Sequence, residues 1–326
     1  MKLLFILDPL EQLKAYKDTS VAMMRAAQAR NHQIHACLQS ALASSFGTQP
    51  GAKVVAEATR ITVRKDDEDW YRTHDTKVRA LEEFDGVVVR KDPPFDMEYV
   101  ASTWVLEAAQ RQGARVFNNP RAIRDHNEKF ALAEFAQFAA PTLVTRSMAD
   151  AQAFITRHKD TVVKPLDGMG GEGVFRVRAD DLNRNAIVET VGALGRRNMM
   201  VQRYLPAIKD GDKRVLLIDG KPVPYCLARM AKRGEARANL AAGGKGVAKP
   251  LSKRDRQIAE SVGPILAKRG LLLVGLDVIG DCLTEVNVTS PTCFREIQDQ
   301  TGFDVAGMFL DSLEKQIRKN RKENPR

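Results

Sequence analysis

The stretch TVVKPLDGMGGEGVFRV, residues 161–177, places four glycines within six positions, and the reading of those glycines decides the fold. Gly168, Gly170 and Gly173 fit GxGxxG, the spacing of a dinucleotide-binding turn. That motif opens a helix, whereas here the chain runs on into VFRV, a segment of strand character. No GxxxxGK[ST] occurs either, so a P-loop is excluded. What remains is a strand carrying Lys164, a glycine loop and a returning strand. Backbone N–H groups in such a loop come close to phosphate oxygens because no Cβ intervenes, and Lys164 adds a point charge. The plainer alternative is a mobile hairpin with a surface lysine. The glycine density favours a lid over a ligand.

A second stretch, LDVIGDCLTEVNVTSPT (276–292), reads as two short strands around a Gly280-Asp281 turn, interrupted by Asp277, Glu285 and Asn287. Half-buried strands alternate polar and apolar residues, so Glu285 and Asn287 fit a solvated face. They equally fit a hard-cation site, since residues two apart point to the same side of a strand. A three-residue loop sets Asp277 opposite Glu285, and a two-residue loop sends it to the other face. In the first register, two carboxylates and an amide oxygen converge as Mg²⁺ requires, with substrate phosphates completing the shell.

At 326 residues, with 44% hydrophobic and 28% charged residues, the chain has the composition of a soluble protein of two or three domains. The opening apolar run LLFIL ends at Asp8, too short for a signal peptide, and no stretch approaches membrane-spanning length; a cytoplasmic location is expected. Four scattered cysteines and five unpaired histidines give no metal-ligand spacing, so zinc is not supported. The net charge of +10 admits nucleic acid as a partner, but aromatics are only 6% and none interleave with a basic run. A basic enzyme for anionic substrates explains the charge as well. The basic segment from Glu314 onward reads as a solvated terminal helix with a frayed end.

Along the first third, KLLFILD, the segment near Ile34, FDGVVVRKDPPFD and RVFNNP read as strands. A helix from Thr19 to about Arg30, capped by Thr19 or Ser20, and another over Met97–Gln112, stopped by Gly113, alternate with them. This βαβ order predicts a parallel sheet with helices on both faces and ligand loops at Asp8-Pro9 and 90–94. A helix is expected over 120–138 and another around 149–157; from Met199 on, strands and glycine-rich loops dominate. The stretch MAKRGEARANLAAGGKG (230–246) is a second lid candidate, with Arg229, Arg233 and Arg237 suited to an anion. Together these are parts for phosphoryl transfer without an acid–base histidine or a nucleophile elbow.

The blocks Asn127-Glu128-Lys129, KPLDGMGG (164–171), QRYLPAIKDGDKRVLLIDG (202–220), PVPYCLARM (222–230), ANLAAGGKG (238–246) and GLDVIG…LTEVNVTSPT (275–292) closely resemble the bacterial glutathione synthetase family of the ATP-grasp superfamily. The likeness extends from the opening strand and KDTS (17–20), through RKDPPFD, to Arg295, leaving the tail after about 315 uncovered. It implies an α/β chain, α+β in its second half: a Rossmann-like pre-ATP-grasp domain (1–122) and a two-subdomain ATP-grasp fold (123–203 and 204–326). It implies ligation of γ-glutamylcysteine to glycine through an acyl phosphate, with release of ADP and phosphate. Lys129 and Lys164 would contact ATP phosphates, with Gly168, Met169, Gly170 and Gly171 folding over them. Gln202, Tyr204 and Leu205 would hold adenine, and Asp212 the ribose. Asp277, Glu285 and Asn287 would carry two Mg²⁺ ions, with Mn²⁺ as an alternative. Arg214 and Arg229 would stabilise developing charge, and Arg237 and Asn239 belong to the lid. Lys17, Asp18, Ser290, Thr292 and Arg295 are candidate substrate contacts. The resemblance also implies small-molecule substrates, no nucleic acid or membrane partner, and a homo-oligomer, a tetramer by family habit. Another ATP-grasp carboxylate–amine ligase, or a nucleotide-binding regulator without turnover, shares the lysines and the metal set. The substrate blocks argue against the first and the intact charge set against the second.

Overall fold

The structure, a computed structural model, describes residues 1–47, 53–230 and 245–323. Among these, three sheets carry the architecture. The first is mixed: Gln33–Leu38, Lys2–Leu7, Gly86–Val89 and Val116–Phe117 run parallel in that order, as the βαβ reading predicts. Val54–Val63 adds to it antiparallel and pairs in turn with Leu42–Ser44 and Tyr71–Ala80. Alternation along the first strand builds two cores. Leu3, Phe5 and Leu7 pack with Val21, Met23 and Met24 of helix Thr19–Ala29, while Leu4 and Ile6 share a core with Tyr99 and Leu106 of helix Met97–Arg111.

Asp18, and not Thr19 or Ser20, caps the first helix, accepting the Val21 N–H at 2.9 Å. The two hydroxyls are engaged elsewhere: Ser20 Oγ accepts from Arg90 Nε and Thr19 Oγ1 from the Phe294 N–H. The helix expected over 120–138 also breaks up. Pro120–Asp125 is helical, followed by the single turns Phe130–Ala133 and Ala136–Phe138. In the interrupted stretch Asn127 donates to the Leu166 carbonyl at 3.1 Å, Glu128 accepts from Val288 and Thr289, and Lys129 reaches the Gly168 carbonyl and Glu285.

The second sheet is antiparallel, in the order Phe175–Arg178, Asp160–Pro165, Met199–Arg203, Thr142–Thr145. Val163, Val177, Met199 and Val201 face helices Met148–His158 and Arg184–Val191. The third, also antiparallel, runs Lys245–Pro250, Lys221–Met230, Asp212–Ile218, Leu273–Ile279, Cys282–Asn287. Asn118 stitches it to the first sheet, exchanging hydrogen bonds with Leu273 and donating to the Val288 carbonyl at 2.8 Å.

The terminal helix, Val305–Glu323, is not simply solvated. Phe309, Leu310, Leu313 and Ile317 are fully buried, and Arg30 and His32 of the first domain bond to Glu314. Gly86 lies close under this strap: a Cβ there would stand 2.8 Å from Ile317 Cδ1, which would have to shift.

Candidate active site

The hairpin of Leu273–Ile279 and Cys282–Asn287 resolves the register question in an unexpected way. Its turn has two residues, since Ile279 faces Cys282, yet Asp277 still faces Glu285. A register shift beside Asp277 makes this possible, because an extra residue in one strand restores the alternation the short turn would reverse. Thr284 lies in the shifted stretch and donates to the Asp277 carbonyl at 3.0 Å.

Strand pairing sets Arg214 opposite Asp277 and Asp277 opposite Glu285, so one row of charges crosses three strands. Arg214 grips Asp277 with both ends of its fork, at 2.6 and 3.1 Å. Arg229 bridges Asp277 (2.9 Å) and Asp212 (2.5 Å). On the other side of the cleft, Lys129 and Lys164 approach the same Glu285 oxygen at 3.8 and 3.6 Å. Lys164 shares its sheet face with Val162 and Gln202, the face turned away from the helices. Above it the glycine loop turns through positive φ at Gly170, Gly171 and Gly173, and its Gly168 carbonyl accepts from Lys129.

These groups titrate as their surroundings dictate. Burial lifts the Asp212 carboxyl to about 6, with Asp277 and Glu285 adding to the rise and Arg229 opposing it. Burial would also raise Asp277, but Arg214 and Arg229 prevail and hold it well below the usual carboxylate range. Lys164 is pushed down, chiefly by burial and further by Lys129, against the pull of Glu285. Each acid therefore already faces a cation. An anion arriving with a divalent cation can take over both halves of these pairs.

Lys129, Lys164, Gly168, Met169, Gly170, Gly171, Gln202, Tyr204, Leu205, Asp212, Asp277 and Glu285 all line this one cleft. The residues fit Mg²⁺: Asp277 and Glu285, facing each other across the hairpin, and Asn287 two residues on present hard oxygen donors. Among the described residues no three His, Cys, Asp or Glu side chains form an all-protein metal cage.

Two family models cover almost the whole chain. The prokaryotic glutathione synthetase N-terminal domain matches residues 1–124, and the prokaryotic glutathione synthetase ATP-grasp domain matches 128–302. The chain belongs to the prokaryotic glutathione synthetase family. A glutathione synthetase of Ralstonia nicotianae is 58% identical over 97% of this chain and 96% of its own. One from Nitrosomonas europaea is 54% identical over 98% and 100%. Among solved structures, D-cycloserine synthetase superposes with a TM-score of 0.68 at 16% identity, covering 97% of this chain and 100% of that one. The ATP-grasp ligase PsnB with minimal precursor, Mg and ADP gives 0.61 at 18%, covering 97% and 98%. These likenesses establish the ATP-grasp fold.

The remaining family positions are distributed unevenly. Asn287 follows the row, its amide donating to the Gly275 carbonyl at 3.1 Å. Ser290 Oγ donates to Asp92 Oδ1, and Ser290's carbonyl accepts from the buried Arg90 at 3.4 Å. Asp18 is raised by burial beside Arg90 and Asp92, and Lys17 lies near Glu296. Thr292 contacts Cys293 Sγ. Arg295 turns toward Asp67 and Asp299, each 3.8 Å away. Arg237, Asn239 and most of the second lid lie outside the described residues.

Arg90 and Asp92 belong to the ligand loop expected at 90–94, whereas two neighbours of the cleft had no counterpart in the sequence analysis. Arg176 stacks on the Tyr204 ring at 3.7 Å while bonded twice to Asp160, and Thr142 accepts from Gln202 Nε2 at 2.8 Å. Both sit on ordinary strand positions and gave no signal.

Proposed function

We propose that this protein joins γ-glutamylcysteine to glycine at the cost of ATP, releasing ADP and phosphate. The observation that carries the reading is the convergence of Lys129 and Lys164 on Glu285, directly across from Asp277, beneath a glycine loop. In this reading the lysines and the backbone of 168–171 bind the β- and γ-phosphates. Gln202, Tyr204 and Leu205 are assigned to the adenine and Asp212 to the ribose hydroxyls. Asp277, Glu285 and Asn287 hold two Mg²⁺ ions, Mn²⁺ substituting. Bound there, the metal supplies positive charge to the phosphates.

The dipeptide carboxylate attacks the γ-phosphorus and ADP departs, leaving an acyl phosphate. Glycine's amine then attacks the acyl carbon, loses a proton, and expels phosphate. An acyl phosphate needs no protein nucleophile but must be shielded from water, the task assigned to the two loops. Arg214 and Arg229 stabilise the charge that develops, a contribution typically worth about 10²–10³ in rate. Lys17, Asp18, Ser290, Thr292 and Arg295 are assigned to the dipeptide and glycine, with Arg90 and Asp92 added on the bonds they make to Ser290. Arg237 and Asn239 are assigned to the closing lid.

The domain limits 1–122, 123–203 and 204–326, a homotetramer and a cytoplasmic location complete the proposal. Among the described residues no helix is long and apolar enough to cross a membrane. The test is ADP and phosphate release with Mg²⁺ and ATP, adding γ-glutamylcysteine and glycine singly and together. Release requiring both, with a tripeptide product and no AMP, is expected. Background release with the pair while ATP still binds would refute the substrates and leave another carboxylate–amine ligase.

A further inference from the structure

The strand carrying Glu285 and Asn287, Cys282–Asn287, is the edge of its sheet, so every second N–H along it lacks a neighbouring strand. Edge amides beside a charged site must be satisfied or they pull the backbone out of line. Nearer the turn Leu283 is bridged in parallel to Ala139, and around Asn287 a single residue takes the amides. The Glu128 carbonyl accepts the Val286 N–H at 2.8 Å. Its carboxylate oxygen Oε1 accepts the Val288 N–H at 2.9 Å, the Thr289 N–H at 3.1 Å and the Thr289 hydroxyl at 2.9 Å. These four bonds grip the chain on both sides of Asn287, and the next residue of the gripping segment is Lys129, which reaches Glu285 from the opposite wall.

We propose that Glu128 is a positioning residue for nucleotide and metal: it fixes Glu285 and Asn287 against Lys129, so that the two halves of the phosphate site keep their spacing. The proposal rests on the reading of this cleft as the Mg²⁺·ATP site. Partners that orient ligating groups without touching the metal typically contribute about 10–100-fold in affinity. A carboxylate is suited to the task because a single charged oxygen can accept three donors, which a neutral amide does less strongly.

The test compares Glu128→Ala and Glu128→Gln with the wild-type protein by calorimetric titration of Mg²⁺·ATP, with dipeptide and glycine absent, and by hydrogen exchange over residues 283–290. Expected for Glu128→Ala is a loss of nucleotide affinity of about 10–100-fold with faster exchange at Val288 and Thr289, whereas Val286, bonded to the backbone carbonyl, keeps its partner. Glu128→Gln, which keeps an acceptor, should recover most of both. KM for the dipeptide and for glycine should move far less than the affinity for Mg²⁺·ATP, a split that general loosening of the fold would not produce. Wild-type affinity in Glu128→Ala overturns the proposal. So does an equal loss for all three substrates with no recovery in Glu128→Gln. Failure of the wild-type protein itself to bind Mg²⁺·ATP would instead overturn the assignment of the cleft.

Discussion

Replacing Lys164 by Met should make the protein no less stable while crippling nucleotide binding, and the opposite signs make this a sharp test. Lys164 is 5% exposed and 3.6 Å from Glu285. At that distance the gross attraction is about 5 kcal/mol for an effective dielectric of ~20. Its ammonium is nonetheless shifted downward, because burial and the nearby Lys129 outweigh this pull. The charged form is therefore a burden on the folded state at neutral pH. Removing it does not orphan Glu285, which keeps Lys129 at 3.8 Å. Methionine fills much of the same volume without a charge. Differential scanning fluorimetry of Lys164→Met should show an unchanged or raised melting temperature, each 1 kcal/mol gained being worth about 1–2 °C in a chain of this size. Calorimetry should show Mg²⁺·ATP affinity reduced by about 10–10²-fold, the loss of a hydrogen bond to a charged group being worth about 1.5–3 kcal/mol. A melting temperature lowered by several degrees, with affinity intact, would refute the reasoning and make Lys164 a structural partner of Glu285.

Three further outcomes follow from the geometry. Arg214→Lys exchanges a two-pronged grip on Asp277 for a single contact; kcat should fall by about 10²-fold, checked under saturating substrates, with little change in the affinity for ATP. Burial holds His35, packed edge-on against Phe84, down at about 4. Its folded value lies below the unfolded 6.5, so its neutral form is fully compatible with the fold above pH 6.5 and stability is lost as pH falls from there toward 4, by at most about 3 kcal/mol. His35→Leu should flatten that part of a melting-temperature profile. Gly86→Val sets side-chain atoms against Ile317 and Leu3 and should cost about 1–3 kcal/mol; pairing it with Ile317→Ala should restore part of the loss in chemical denaturation.

Much of the chemistry was local enough to read from the chain. The glycine loop announced itself because a strand, and not a helix, follows 168–173. Asp277, Glu285 and Asn287 stood out because oxygen side chains are conspicuous within an apolar hairpin, and Lys164 because it ends a buried strand. The βαβ order gave the parallel centre of the first sheet through its alternating periodicities. Tertiary structure decided what depends on partners distant in sequence. The shift beside Asp277 that sets it opposite Glu285 across a two-residue turn answers to the whole sheet, and turn length alone pointed the other way. The helix expected over 120–138 breaks where Glu128 and Lys129 bond to Val286 and Glu285, strand residues more than 150 positions later, a gain local propensity does not register. The terminal segment looked solvated because its charges are plain in the sequence, whereas Ile317 finds its place only against Gly86, in the first domain. Sequence patterns specify which groups are present and their local periodicity; which of them meet is set by packing between elements far apart in the chain.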